Sequence, residues 1–304
     1  MHHPHEYSSS RADVRRLAGA LGLIVGLMAV EVVVGILASS LALLSDAGHM
    51  LTDAAAIGMS LVAARLAARP AHGAMTYGLG RAEILSAQAN GVTLLVLAAL
   101  ISYEGIRRLV SPPDVHGWPV LAVALAGIAV NLAAAGILAG AERRSLNVEG
   151  SLQHVLTDLY AFIGTALAAV VIIATGFDRA DAIASLAIAG LMIRSGYGLV
   201  RASGRVFLEA APEGVDPDAI GRALAGQPGV VEVHDLHIWE VTSGFPALSA
   251  HVLVGRDTDC HAARRSLEEL LHATFDIEHT TLQVEHEGGE LLQVEVPRGK
   301  SPSS

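Results

Sequence analysis

The chain has 304 residues, of which 52% are hydrophobic and only 16% charged, and its mean hydropathy is +0.49. A soluble domain carries roughly 25% charged residues, so an ordinary soluble enzyme, a disordered chain and a coiled coil are excluded. Cys260 has no intrachain partner, which excludes a disulfide scaffold, and the formal net charge of −10 argues against nucleic acid as a partner.

The charge is unevenly spread. The first 208 residues carry a net of +1, and the chain from Glu209 onward carries −11. A nearly neutral apolar domain followed by an acidic one reads as a membrane domain followed by a soluble domain. The boundary is placed near Phe207 to Pro212. The expected organisation is an arm over 1–16, a membrane domain over 17–208, a cytoplasmic domain over 209–287 and a tail over 288–304. Cys260 reads as a small packed residue. The arm carries His2, His3 and His5, which suit either weak metal capture or a chance run.

About 20 apolar residues are needed to cross a bilayer, and six stretches qualify: 17–38, 40–66, 84–109, 118–140, 151–175 and 180–200. The first lacks a small-residue cleavage site and is followed by further spans, so it reads as a retained helix. Short connections with Pro, Gly or charge separate the spans. An even number of spans puts both termini on one face. That face would hold Arg11, Arg15, Arg16, Arg65, Arg69, Arg81, Arg143, Arg144, Arg201 and Arg205, against Arg107, Arg108 and Arg179 on the other. The bias predicts cytoplasmic termini and a bacterial cytoplasmic membrane.

Ionisable groups inside a span are costly and mark function. The second span contains His49-x-x-x-Asp53 and the fifth His154-x-x-x-Asp158. Residues four apart share a helix face, so each pair offers one imidazole nitrogen and one carboxylate oxygen to a single point. If the two helices face each other, four N/O ligands converge. That set suits Zn²⁺ in tetrahedral coordination, and two carboxylates balance its charge. The absence of Cys and Met argues against Cu(I); Cd²⁺, Co²⁺ and Fe²⁺ remain open. The bland alternative, a hydrogen bond holding helices together, has to be invoked twice. Asp46 shares the face of His49 and Asp53. It is either a supporting partner or proton relay, or a helix cap or partner of an Arg. Asn131 reads as helix-packing glue, Asp181 as an N-terminal residue of the sixth span that suits the helix dipole, and Arg194 as snorkelling or paired with an acid.

After the second span comes Tyr77-Gly78-Leu79-Gly80-Arg81-Ala82-Glu83. In the acidic domain, a helical pattern over Pro217 to Ala225 is followed by a strand from Val230 to Val241, a turn at Gly244 and Pro246, and a strand from Ala247 to Val254. A helix from Cys260 to Thr274 and a strand from Thr280 to Glu285 complete an α-β-β-α-β order. His234 and His251 fall on adjacent strands. His272, His279 and His286 read as solvated.

Six spans, paired His-x-x-x-Asp motifs, the Tyr-Gly-x-x-Arg-x-Glu segment and His234-Asp235-Leu236-His237-Ile238-Trp239 together resemble the cation diffusion facilitators, metal/proton antiporters of the zinc-efflux type. The resemblance runs from about Leu17 to Glu287. It implies a polytopic α-helical membrane protein with six transmembrane helices and a C-terminal cytoplasmic α+β domain, ferredoxin-like or metallochaperone-like. It implies no enzyme activity, Zn²⁺ as transported substrate and regulatory ion, and a homodimer in the lipid bilayer. Carried over from the family, the cytoplasmic metal site is His234, His251, His261 and Glu285, with Gln283 where some members have a further His. A second-loop metal site of some bacterial members is not expected here, where His72 is accompanied by Met75 and Leu79. A membrane-anchored metal sensor is the alternative function. An intramembrane hydrolase is weak, since four ligands leave no open position for water.

Overall fold

The computed structural model describes residues 25–139 and 146–287, and within these the side chains of 57, 134–139 and 146–157 are left out of the account. The arm with His2, His3 and His5 and the tail over 288–304 lie outside the described residues. The helices are α1 (Val25–Leu37), α2 (Leu41–Ala67), α3 (Arg81–Val110), α4 (Gly117–Ala139), α5 (Leu146–Thr175) and α6 (Arg179–Phe207). Among the described residues, α2, α3, α6 and the Asp158–Thr175 part of α5 are long and apolar enough to cross a membrane, whereas Val25–Leu37 and Gly117–Ala133 form shorter apolar stretches. The cytoplasmic elements follow as α7 (Pro217–Ala225), β1 (Val230–Thr242), β2 (Phe245–Val254), α8 (Cys260–Phe275) and β3 (His279–His286).

Chain contacts divide these elements into two compact units. One holds the described residues up to Arg65 with Leu85–Ser203; the other holds Leu66–Ile84 with the chain from Gly204 onward.

In the first unit, close packing relies on small residues, as membrane helices require where lipid removes the hydrophobic drive for association. Gly127 of α4 lies under the ring of Phe162 of α5 so closely that a Cβ there would fall 2.2 Å from its Cε1. Gly91 of α3 and Gly196 of α6 approach through their backbones: a Cβ on Gly196 would meet the Gly91 carbonyl oxygen at 2.9 Å. A core of Ala38, Ala42, Leu43, Val120, Ala169 and Ile172 joins α2, α4 and α5 to the segment that precedes α2.

The start of α2 is fixed by side chains. A helix begins with backbone N–H groups that have no partner within the helix. Ser40 caps α2, its hydroxyl accepting from Leu43 N at 3.2 Å. Asp181, in the first turn of α6, accepts from Ser40 Oγ at 2.5 Å, Leu41 N at 2.6 Å and Ala42 N at 3.3 Å. Arg108 Nη1 lies 3.9 Å from Asp181 Oδ2 and donates to the Ser39 carbonyl at 2.6 Å. The dipole of its own helix therefore describes only part of what Asp181 does, because its carboxylate is directed at the N-terminus of a different helix. Ser39, at φ 57°, turns the chain into that cap.

In the second unit the order α-β-β-α-β is as the sequence pattern predicts. β1 and β2 pair antiparallel and β2 and β3 pair parallel, in the sheet order β1-β2-β3. Ile220 and Leu224 of α7 and Leu267 and Leu271 of α8 bury against Ile238, Leu248, Ala250, Val252 and Leu282 of the sheet. Asp259 caps α8, accepting from His261 N at 2.9 Å and Ala262 N at 3.1 Å. Those bonds, Ala262's first, hold its carboxyl below the ordinary range.

Removing the Asp181 carboxylate strands buried donors on α2 and leaves Arg108 without its buried counter-charge. Asp181→Ala is expected to cost about 3 kcal/mol and to lower the melting temperature of the detergent-solubilised chain by at least about 6 °C. Asp181→Asn, which still accepts through its amide oxygen, should fall between. An Asp181→Ala melting temperature equal to wild type would show that the cap contributes nothing.

Candidate metal centres

The membrane centre is built on α2 and α5. Apolar and small residues carry α2 unbroken from its cap past His49 and Asp53, placing the two one turn apart. His49 Nε2 lies 3.6 Å from Asp53 Oδ2 on the same helix and 4.0 Å from Asp158 Oδ1 on α5. Both carboxylates thus approach one imidazole nitrogen from different helices. The backbone of His154 is helical, one turn before Asp158, and its side chain lies outside the described residues. Of the four expected ligands, three are brought together here.

Asp46 does not cap α2, since Ser40 does, and among the described residues the charged groups that bear on it are carboxyls and not an Arg. It is buried within the first turns of α2, and the groups that face it are Glu31, Asp158 and Asp53. Glu31, on α1, was not among the residues expected from the sequence, since no ionisable residue lies one turn away to form a pattern with it. It is completely buried and faces Asp46 and Asp158. Its charge inside an apolar span was the one signal that would have found it. Asn131 donates to the Gly127 carbonyl at 3.0 Å within α4, a local bond.

The second centre lies on the sheet of the cytoplasmic domain. His234 of β1 is the register partner of His251 of β2, and their ring centroids are 5.3 Å apart. Successive strand residues normally point to opposite faces. Here the β1 register shifts between His234 and His237, and Asp235 takes φ 49°, so a β-bulge lets Asp235 join its neighbour. Among the described residues, His234, Asp235 and His251 offer ligand atoms that all lie within 4.8 Å of one another. His234 Nδ1 makes no hydrogen bond among the described residues and lies 3.7 Å from Glu232 Oε1. Two imidazoles and a carboxylate fit a divalent transition metal.

His261 and Glu285 are not part of this group. His261 is in the first turn of α8 beside its Asp259 cap. Glu285 pairs in register with Leu253, two positions along from the His251–Gln283 pair, and accepts a hydrogen bond from Gln283 Nε2. Asp235 is the member of this group that sequence reasoning missed, because only the bulge brings it beside the two histidines. His279 is exposed, yet its ring meets Tyr77 and Phe245 edge-on at 5.8 and 5.4 Å.

The Tyr77 to Glu83 segment belongs to the same unit as the sheet. Arg81 Nε donates to the Val241 carbonyl at 3.1 Å, and the Thr242 hydroxyl donates to the Gly80 carbonyl at 3.0 Å. A Cβ on Gly80 would press on Thr242 at 3.1 Å. The motif therefore ties the loop between α2 and α3 to the end of β1.

Residues 17–208 match the model of the cation efflux transmembrane domain, and residues 212–287 match that of the cation efflux protein cytoplasmic domain. The chain belongs to the cation efflux family, the cation diffusion facilitators. It is 39% identical over 269 residues to the cadmium, cobalt and zinc/H⁺-K⁺ antiporter of Bacillus subtilis (strain 168), covering 87% of this chain and 86% of that one. It is 38% identical over 293 residues to the zinc transporter ZitB of Escherichia coli (strain K12), covering 94% and 93%. With the metal cation efflux system protein CzcD of Cupriavidus metallidurans it shares 37% over 284 residues, or 92% and 89% of the two chains. Among solved structures, the metal-bound C-terminal domain of the CzcD transporter is 36% identical and covers 23% of this chain and 99% of that one, with a TM-score of 0.23. Members of the family are transporters and not enzymes, and this chain is an integral membrane protein of metal cation efflux.

If His234, Asp235 and His251 hold the cytoplasmic ion, His251→Ala lowers zinc affinity by at least about tenfold. The measurement is chelator competition on the full chain carrying Asp53→Ala and Asp158→Ala, so that only the sheet site reports. In the same background His261→Ala stays within about twofold of its parent. An equal loss in both variants would return His261 to the ligand set.

Proposed function

We propose that the protein exports Zn²⁺ from the cytoplasm in exchange for protons, by alternating access to a site formed by His49, Asp53, His154 and Asp158. The observation that carries this reading is the approach of Asp53 and Asp158, from two helices, to a single nitrogen of His49. The relatives support it in kind, being named for zinc, cadmium and cobalt efflux and, in one case, for exchange against H⁺ and K⁺. Two imidazoles and two carboxylates neutralise a divalent ion, which lowers the cost of holding it at low dielectric.

Proton exchange follows from the ligand chemistry. Imidazole and carboxylate bind metal only when deprotonated, so metal entry expels protons and proton entry favours metal release. The ordinary histidine pKa near 6.5 lies within the range a pH gradient spans. The arginine bias supports cytoplasmic termini in a bacterial inner membrane. The metal at His234, Asp235 and His251 is a resident regulatory ion, and the cytoplasmic domain is the contact surface of a homodimer, as its family description supports.

Reconstituted vesicles test this directly. Zinc uptake under an imposed pH gradient is expected for wild type and should fall to the level of empty vesicles in the Asp53→Ala plus Asp158→Ala variant. Uptake that survives the double substitution would move the transport site elsewhere. No uptake by wild type, with metal still bound by the cytoplasmic domain, would make the protein a sensor.

A further inference from the structure

Glu31 and Asp46 add two carboxyl groups to a membrane core whose metal site is already balanced. Glu31 is 0% exposed and Asp46 2%. All four oxygens are enclosed, and the hydrogen-bonding partner that each carboxyl faces among the described residues is the other carboxyl. Buried carboxyls in native proteins are paired or hydrogen-bonded, so this arrangement calls for an occupant.

The neighbours identify the occupant by charge. Glu31 faces Asp46 from α2 and Asp158 from α5. Asp46 faces Glu31, Asp158 and, along its own helix, Asp53. None of these groups is a base. On α4, the described polar side chain in the span is Asn131, and it bonds within its own helix. Arg108, a cation of the same unit, is engaged by Glu104, Asp181 and the Ser39 carbonyl. Oxygen-only donors select hard cations over zinc. The pair is also more closed than the metal centre, where the side chains of His49, Asp53 and Asp158 retain 13%, 22% and 14% exposure.

We infer that Glu31 and Asp46 form a separate monovalent-cation site, holding the proton or potassium ion that the protein exchanges for metal. The site rests on the transport reading above and adds to it a place for the counter-cation outside the metal ligands. Glu31 lies on α1, which contributes none of those ligands, and Asp46 stands a turn from His49. A cation held there brings the carboxyl pair from two negative charges to one while metal occupies its own site. Repulsion from Asp158 couples the two, because a vacated metal site leaves extra negative charge facing the pair.

The test uses the full chain in vesicles, with two driving gradients applied separately: a pH gradient in potassium-free buffer, and a potassium gradient at equal pH. The gradient that drives wild-type zinc uptake identifies the cation. Glu31→Gln is expected to lose at least about tenfold of the uptake driven by that gradient. It should keep zinc affinity, and zinc-for-zinc exchange across the membrane, within about twofold of wild type. Glu31→Asp, which retains the carboxyl, should recover part of the driven uptake. If Glu31→Gln does not reach the membrane, Asp46→Asn is read by the same criteria. Driven uptake in Glu31→Gln equal to wild type would overturn the inference and leave the transport reading intact. Zinc affinity lost in parallel with Asp158→Ala would overturn it by making Glu31 a metal ligand. Absence of driven uptake in wild type under both gradients would overturn the transport reading, and the counter-cation site with it.

Discussion

The carboxylate of Asp181 sets where α2 begins, and the metal chemistry of the membrane unit is measured from that point. It accepts from the Ser40 hydroxyl and from the first backbone amides of α2, while Ser40 accepts from the next turn and Arg108 closes the other side. In lipid no water is available to satisfy those amides, so each must find a protein partner. The cap ties the start of α2 to α6 and to Arg108 of α3. His49 and Asp53 follow two to three turns later along a continuous helix. A slip of one residue at the cap would rotate both by about 100° away from α5.

Charge in a low-dielectric setting governs what the membrane unit can hold. In the proposed transport site, Asp53 and Asp158 would balance a divalent substrate, and two histidines would take up protons in its place without leaving a net charge behind. Glu31 and Asp46 exceed that balance. The small-residue contacts, Gly127 beneath Phe162 and Gly91 against Gly196, let α4 approach α5 and α3 approach α6 closely. The cytoplasmic domain solves a different problem. There water screens the charge, and the sheet register together with one bulge is sufficient to gather three candidate ligand side chains.

Much of this was legible in the sequence for definite reasons. The α-β-β-α-β order follows from period-two alternation bounded by Gly226, Gly244 and Pro246, and the predicted strand and helix limits differ from β1, β2, α8 and β3 by one or two residues. The His-x-x-x-Asp pairs were visible because charged groups inside apolar runs are rare. What stayed hidden depends on tertiary contact. Glu31 has no ionisable companion on its own helix turn, so its partner on α2 cannot be inferred from spacing. Asp181 looks like a local helix-start residue until the other helix is seen. Asp235 joins His234 only through a left-handed backbone residue, which alternation forbids. The family carry-over gave His234, His251, His261 and Glu285 for the cytoplasmic site; among the described residues the group whose ligand atoms lie within 4.8 Å of one another joins Asp235 to His234 and His251.

The ligand set between α2 and α5 is the central claim, and zinc K-edge X-ray absorption on the full chain tests it most directly. The sample carries His234→Ala, Asp235→Ala and His251→Ala, so that bound zinc reports the membrane centre. The account predicts four nitrogen or oxygen neighbours at about 2.0–2.2 Å, with the outer-shell scattering of two imidazoles. A spectrum with a sulfur neighbour, with fewer than two imidazoles, or with no bound zinc would contradict it.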